Sequence, residues 1–191
     1  MGPGNRTAVK KDVGEAALRG LVPLAAQADA RRADEAGTLV VATAALIEGY
    51  VDAVLRGLIE TTPYEEHAFV RTLFAELEDR IFQSWAERFR WLRDGFDVSL
   101  EGTAELQSLS LLIELRNACV HGSASLTDRQ SRNLTSLLAL EKDLARLLGV
   151  AVIRRKLYFG DDTAIRAARV ARDFITLFDE RLADAHPGVV I

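Results

Sequence analysis

The chain has 191 residues, of which 49% are hydrophobic, and it carries a formal net charge of −4. This length suits one domain with a substantial core, and the hydrophobic content is typical of a folded protein and argues against a disordered one. A single cysteine, Cys119, excludes an internal disulfide framework.

The ends of the chain predict no targeting segment. Residues 1–12 contain Gly, Pro and Lys without a following apolar stretch, so we expect a flexible N-terminus and no secretory signal. No apolar run reaches the roughly 18–20 residues that span a bilayer. We therefore expect a cytoplasmic protein without a membrane segment, in which residues 13–185 form one helical domain and residues 186–191 form a loose tail.

The first half of the chain predicts three helices. Apolar residues at helical spacing predict a first helix over Val13–Ala33, kinked at Pro23, and a second over Thr38–Thr61. The second helix is apolar on more than one face, which is typical of a central helix. Aromatic and aliphatic residues at three- and four-residue steps predict a third helix over Tyr64–Arg93.

Glu48 is an acidic residue inside the apolar second helix. A carboxylate in a core is unfavourable unless it is paired. Glu48 either accepts a hydrogen bond from Arg116 or His121, or it faces solvent beside Asp52. The sequence leaves both interpretations open.

Two more helices are predicted between residues 103 and 149. Thr103 or a neighbouring residue caps a helix, here called the motif helix, which is closed by Gly122 in the left-handed conformation that glycine favours. Thr127 or Asp128 caps a fifth helix, which runs to about Leu148 before Gly149.

The last part of the chain predicts a change of structure and a final helix. Residues 150–159 alternate imperfectly between apolar and polar, which indicates a short extended segment or part of a long loop. Asp161 and Asp162 precede a last helix to about Asp184. The predicted fold is all-α, a single-domain bundle of about five to six helices.

The end of the motif helix carries an arginine, an asparagine and a histidine within one and a half turns. Asn117 and His121 are four residues apart and share a face, whereas Arg116 and His121 are five apart and point roughly 140° from each other. We expect Arg116 and His121 to flank a groove, or to meet groups of a second chain, instead of pairing. The helix dipole also favours a histidine in a last turn, so a structural role stays open.

Positive charge is concentrated around this motif. Residues 115–172 hold 11 Lys and Arg against 5 Asp and Glu, whereas residues 1–114 hold 12 against 19. Such an excess favours phosphate binding, although arginines on solvated helix faces would give the same count. The candidate RNA-binding residues are Arg129, Arg132, Arg154, Arg155, Lys156, Arg166 and Arg169.

The sequence lacks the residue patterns of phosphate-binding loops, metal sites and cysteine–histidine catalytic pairs. The sequence contains no glycine-rich phosphate loop, and its three histidines match no metal-ligand spacing. Cys119 lies two residues before His121, so the two side chains point about 200° apart on a helix and do not form a thiolate–imidazole pair. We predict no metal and no cofactor.

The pattern Arg116-Asn117-x-x-x-His121, at the end of an apolar helix, resembles the RxxxxH motif of HEPN domains. The segment LRNACVHG, residues 115–122, resembles the ribonuclease-type (RiboL-PSP-like) HEPN proteins of prokaryotic toxin and defence systems. Residues 39–55 are similar to the HEPN helix with an inward-facing acidic residue, here Glu48. Residues 84–98 resemble the helix and turn that precede the motif helix.

This resemblance implies a metal-independent endoribonuclease in a toxin–antitoxin or anti-phage defence setting. The 2′-hydroxyl of RNA would be the nucleophile. Arg116 would hold the phosphate and its developing charge, Asn117 would orient the imidazole or a phosphate oxygen, and His121 would move protons, with Glu48 in support.

The resemblance also implies partners. Two copies would form a homodimer through the motif helix, so that two motifs face each other, and an antitoxin or defence protein would accompany them. Ser123 stands where toxins paired with a nucleotidyltransferase antitoxin carry a tyrosine, which argues against that mode of neutralisation. The alternative is a non-catalytic helical module that binds RNA or nucleotides, or dimerises, and keeps the motif for structure.

Overall fold

The computed structural model describes residues 7–30, 35–61 and 68–187. In this part of the chain nearly all regular structure is helical, with one two-stranded sheet, so the predicted all-α class is confirmed. The elements in chain order are α1 (Thr7–Ala30), α2 (Ala36–Thr61), α3 (Ala68–Ile81), α4 (Trp85–Phe96), α5 (Ala104–His121), α6 (Asp128–Ser131), α7 (Leu134–Asp143), a π-helical turn (Leu144–Leu148), β1 (Val150–Ile153), β2 (Lys156–Phe159) and α8 (Thr163–Ala185).

The described residues fall into two compact units. One unit combines residues 7–17, 48–61, 68–101 and 176–187. The other combines residues 18–30, 35–47 and 102–175, and it contains the motif helix and the sheet.

α2 matches its predicted bounds closely and supplies buried residues to both units. Along it, buried side chains recur every three to four residues, as expected for a helix with a wide apolar face: Leu39, Val40, Ala44, Ile47, Tyr50, Val51, Val54, Leu55 and Leu58. Contrary to our expectation from sequence, α2 is long and apolar enough to cross a membrane, by length and composition alone. Half of its most apolar stretch is buried, and core helices have the same character.

Near each end of the chain, the described residues depart from the predicted boundaries. α1 begins at Thr7, six residues before the predicted start, and Pro23 lies inside it as expected. Residues 1–6 and the predicted end of this helix at Ala33 lie outside the described residues. His186 was assigned to a loose tail, but its Nε2–H donates to the carbonyl oxygen of Phe96 at 2.6 Å.

The prediction of one long third helix was wrong, because the chain breaks at Ser84. This residue is extended (φ −152°, ψ 160°), and its hydroxyl accepts a hydrogen bond from the backbone N–H of Glu87 at 3.2 Å, which starts α4. The apolar periodicity continues across the break and so concealed it. The predicted start at Tyr64 lies outside the described residues.

The predicted fifth helix is also interrupted. Thr127 caps only the one-turn α6, and Asn133 then caps α7 by accepting from the N–H of Ser136 at 3.0 Å. A π-helical turn follows and ends at Gly149, the glycine at which the helix was predicted to end, and its φ of 67° is left-handed. These two caps divide the segment, because each asparagine or threonine oxygen satisfies the free N–H groups of a new first turn.

Tyr50 makes a buried polar contact in the unit that includes the start of α1. Its hydroxyl donates to Oδ1 of Asp179 at 2.5 Å, and its ring meets the edge of Phe178. Burial first, and then the charge and hydrogen bond of Asp179, raise the pKa of Tyr50 far above its ordinary value. Gly14 leaves room for this pair, since a Cβ there would lie 2.0 Å from Oδ2 of Asp179.

We expect Tyr50→Phe to lower the free energy of unfolding by about 1–2 kcal/mol at pH 7, because one buried hydrogen bond is lost. In the wild type, stability should fall as pH rises above about 10, since the unfolded tyrosine then loses its proton and the folded one keeps it. Urea denaturation between pH 8 and 11 would measure both. The difference between the two proteins should shrink by about 1.4 kcal/mol per pH unit above 10. A constant difference would contradict the role assigned to this pair.

Candidate functional site

The motif helix, α5, buries one stripe and exposes the motif. Thr103 accepts from the N–H of Leu106 at 3.3 Å and starts the helix, as predicted, with Glu105 in the first turn. The buried stripe consists of Leu109, Leu111, Leu112, Leu115 and Ala118. Arg116 and Asn117 are half-buried beside this stripe, and His121 is exposed at the last helical position.

Arg116 and His121 are in contact, which corrects the prediction that they would not pair. Nη1 of Arg116 lies 3.5 Å from Nε2 of His121. The same Nη1 donates to Oδ1 of Asn117 at 3.3 Å. The Cβ directions differ as predicted, but the long arginine side chain bends along the helix and spans the difference. Asn117 therefore holds the guanidinium, not the imidazole.

Gly122 ends α5 for a different reason than predicted. Its φ is −104°, outside the left-handed region. The chain turns back tightly here, since the N–H of Ser125 donates to the carbonyl of Gly122 at 3.0 Å. A Cβ on Gly122 would lie 1.8 Å from the backbone oxygen of Ser125, so only glycine fits. The left-handed conformation is taken instead by Ser123 and Ala124, with φ of 50° and 58°.

Of the two alternatives for residues 150–159, an extended segment or part of a long loop, the extended one is found, as a β-hairpin. β1 and β2 pair antiparallel with Ile153 opposite Lys156, which leaves a two-residue turn at Arg154 and Arg155. Both turn residues have positive φ, 50° and 72°. Such tight turns require positive φ at both positions and normally use Asn-Gly. Two arginines here place basic side chains at the tip.

The hairpin is fastened to the loop that follows the motif helix. The N–H of Leu126 donates to the carbonyl of Arg155 at 2.8 Å, and the N–H of Leu157 donates to the carbonyl of Ala124 at 2.9 Å. Ser125 thereby pairs with Lys156 as in an antiparallel sheet. These two backbone hydrogen bonds bring residues about thirty positions apart in sequence next to His121.

An open groove of about 670 Å³ lies between the loop and the hairpin. Its lining residues are His121, Gly122, Ser123, Ser125, Leu126, Thr127, Asp128, Arg154, Arg155 and Lys156. Three cations and His121 face one carboxylate, that of Asp128, so the groove favours an anion. Here and below it is called the His121 groove.

A network of side-chain hydrogen bonds joins α6 to the motif helix beside the His121 groove. Gln130 is buried, and its Nε2 donates to the backbone oxygen of Glu114 at 2.9 Å and to its Oε2 at 2.6 Å. Nη2 of Arg129 reaches both carboxylate oxygens of Glu114. Gln130 Oε1 also accepts from the N–H of Thr127 at 2.9 Å, which completes a capping box and fixes the start of α6 against the motif helix.

Among the seven candidate RNA-binding residues, the structure separates those that line the groove from the rest. Arg154, Arg155 and Lys156 line it. Arg129 binds Glu114, and Arg166 binds Asp162 and the backbone oxygen of Arg146. Arg132 and Arg169 are exposed and are absent from the groove lining.

Glu48 lies in the other compact unit and forms an ion pair with Arg88. Nη2 of Arg88 is 3.1 Å from Oε1 of Glu48, and Nε of Arg88 is 2.5 Å from Oδ1 of Asp52. Arg88 is only 4% exposed, so its charge needs both carboxylates. Neither sequence interpretation named this partner. The contribution of Glu48 to the motif stays a prediction.

Sequence reasoning missed Asp128 and Thr127 as groove residues and treated them only as helix caps. The capping box Thr127-x-x-Gln130 is a readable signal for that helix start, but nothing local indicates that it faces His121.

Burial raises the pKa of Cys119 to about 11, so this thiol stays protonated near neutral pH. In the described part of the chain, no group of three His, Cys, Asp or Glu residues could hold a metal ion.

Comparison with known proteins adds no relative, since no protein family, no curated protein and no solved structure matches the chain. Support for a function therefore comes from the site residues and from the resemblance of their motif to HEPN domains.

We expect Gly122→Ala to lower the free energy of unfolding by about 2–4 kcal/mol, because the loop must move away from the new Cβ. Gly49→Ala is the matched control. It lies mid-helix in α2 with nothing within 4 Å of a new Cβ, and should be neutral or stabilising by up to about 1 kcal/mol. Thermal and urea denaturation would measure both. Equal stabilities of Gly122→Ala and wild type would contradict the close approach described.

Proposed function

We propose that this protein is a metal-independent endoribonuclease of the HEPN type, acting in toxin–antitoxin or anti-phage defence. The observation that carries the proposal is the contact of Arg116 with His121 at the edge of a basic groove. The groove supplies cations for phosphate, the histidine supplies an imidazole that can accept or donate a proton, and the arginine supplies a planar fork for phosphate oxygens.

The reaction needs no external nucleophile. The 2′-oxygen of one ribose attacks the adjacent phosphorus, and the bond from phosphorus to the 5′-oxygen breaks. One group accepts the 2′-hydroxyl proton, and another donates a proton to the departing 5′-oxygen. The products carry a 2′,3′-cyclic phosphate and a 5′-hydroxyl.

Each motif residue has a defined task in this scheme. His121 is exposed to the groove and transfers one of the two protons. Arg116 lies 3.5 Å from the imidazole and stabilises the charge that develops on the phosphate oxygens. Asn117 accepts from the guanidinium and fixes its direction, so it is a positioning residue.

A homodimer would supply the second proton-transfer group. Val120, next to His121 on the motif helix, is 46% exposed and presents apolar surface beside the site. Packing of two motif helices there would place two Arg–Asn–His sets near one substrate. Because Arg116 and His121 already meet within one chain, their directions on the helix no longer argue for a dimer. The dimer therefore depends on Val120 and on the family resemblance.

The first experiment compares wild type with His121→Ala on total RNA in the presence of EDTA. We expect cleavage by the wild type and a loss of at least about 100-fold in His121→Ala, the scale of a lost general acid–base group. His186→Ala is the matched histidine control and should keep the activity per folded molecule. End-group analysis should find 2′,3′-cyclic phosphates. Equal cleavage by wild type and His121→Ala would contradict the assignment.

The dimer is tested by Val120→Asp, with Val22→Asp as the control because Val22 is also exposed, at 65%, on α1. A carboxylate at position 120 should prevent apolar packing of two motif helices, so Val120→Asp should sediment as a monomer and lose cleavage. Val22→Asp should match the wild type in both measurements. A monomeric but fully active Val120→Asp would show that one chain suffices.

The alternative is a helical RNA-binding or dimerisation module without catalysis. In that case His121→Ala should leave RNA binding unchanged, and no protein in the series should generate cleavage products.

A further inference from the structure

The three cations at the hairpin turn, Arg154, Arg155 and Lys156, differ in the bonds that they make within the protein. Nε and Nη2 of Arg155 both donate to the backbone oxygen of Leu126, at 3.2 and 2.7 Å. Nη2 also binds Oδ1 of Asp128 at 2.7 Å. Arg155 is thus committed to the protein. Among the described residues, Arg154 and Lys156 have no ion pair, and both side chains are exposed.

The turn also fixes where these two cations are presented. Arg154 is the first turn residue and Lys156 the first residue of β2, paired with Ile153 on one side and bridged to Ser125 on the other. A cation on such a backbone loses little further freedom when it binds an anion, in contrast to one on a mobile loop. With Asp128 balancing Arg155, the net positive charge of the His121 groove comes from Arg154 and Lys156.

The size and openness of the groove favour a single strand. Its volume of about 670 Å³ lies in the range of small-molecule sites, roughly 300–1,000 Å³. A short stretch of single strand fits this space, whereas a duplex presents its phosphates on a much wider surface. Specific RNA recognition by proteins mostly uses unpaired segments.

We propose that the hairpin turn is a phosphate-binding arm, in which Arg154 and Lys156 hold a backbone phosphate of single-stranded RNA next to the phosphate at His121. Arg155 is a positioning residue that clamps the turn to the loop through Leu126 and Asp128. This inference rests on the proposed function for the identity of the anion. Of the seven basic candidates, it assigns substrate binding to these two.

The test measures binding separately from cleavage. Arg154→Ala and Lys156→Ala are each made in the His121→Ala protein, and the probe is a short fluorescein-labelled single-stranded RNA followed by anisotropy across a salt series. Arg132→Ala and Arg169→Ala in the same background are the matched controls, because both arginines are exposed outside the groove. Circular dichroism and thermal melting verify that each variant is folded.

We expect each hairpin variant to weaken binding about fivefold and to reduce the slope of log affinity against log salt by about 0.7, the value for one phosphate contact to a single strand. The two controls should change affinity by less than about twofold. Arg155→Ala should instead lower the melting temperature, because it removes the clamp on Leu126. A duplex RNA of the same sequence should bind more weakly than the single strand.

Several outcomes would overturn the proposal. One is an equal loss of RNA affinity in the hairpin variants and the controls. Another is no loss of affinity in the hairpin variants. The third is no RNA binding by the His121→Ala protein at low salt. Failure of the nuclease proposal is distinguishable from these. If the wild type binds RNA through Arg154 and Lys156 but never cleaves it, catalysis fails and the phosphate-binding arm stands. If the wild type cleaves RNA while the hairpin variants bind it with normal affinity, the nuclease proposal stands and the phosphate-binding arm fails.

Discussion

Two backbone hydrogen bonds hold the candidate site together, those joining Leu126 to Arg155 and Leu157 to Ala124. They form a single antiparallel bridge between Ser125 and Lys156, and so attach the basic turn to the end of the motif helix. Backbone donors that would otherwise be unsatisfied are paired, which makes the attachment favourable in itself. The strands themselves pack into the core through Val150 and Leu157, whereas these two bonds attach the exposed turn to the loop after the motif helix. Without them His121 would have no basic groove beside it.

Local sequence signals predicted much of the scaffold. Local signals predicted the helix caps at Thr103 and Thr127, the helix end at Gly149 and the long apolar α2, and all are found. The errors come from contacts that short-range patterns do not encode. The apolar periodicity hid the break at Ser84, because apolar residues keep helical spacing on both sides of it.

The site was predicted in composition but not in arrangement. The sequence named Arg116, Asn117, His121 and the hairpin cations, yet a helical wheel places Cβ atoms and not the ends of long side chains. The guanidinium therefore reaches His121 although the helix directions diverge. Gly122 shows a similar limit, since a glycine after a helix usually marks a left-handed residue, whereas here a carbonyl of the returning loop occupies the space. Asp128 joined the groove only through tertiary structure.

The two arginines at the hairpin tip indicate a compromise between stability and charge. Left-handed backbone at a residue with a side chain raises the energy by roughly 1 kcal/mol or more, and Asn-Gly would avoid much of that strain. Sites at which a sequence departs from its locally best residue are often those where another property is being served. At Arg154, whose side chain makes no ion pair among the described residues, a residue better suited to positive φ would therefore relieve strain and leave the groove with less positive charge. Engineering for thermal tolerance and engineering for anion affinity pull position 154 in opposite directions, whereas Arg155 also clamps the turn to Leu126.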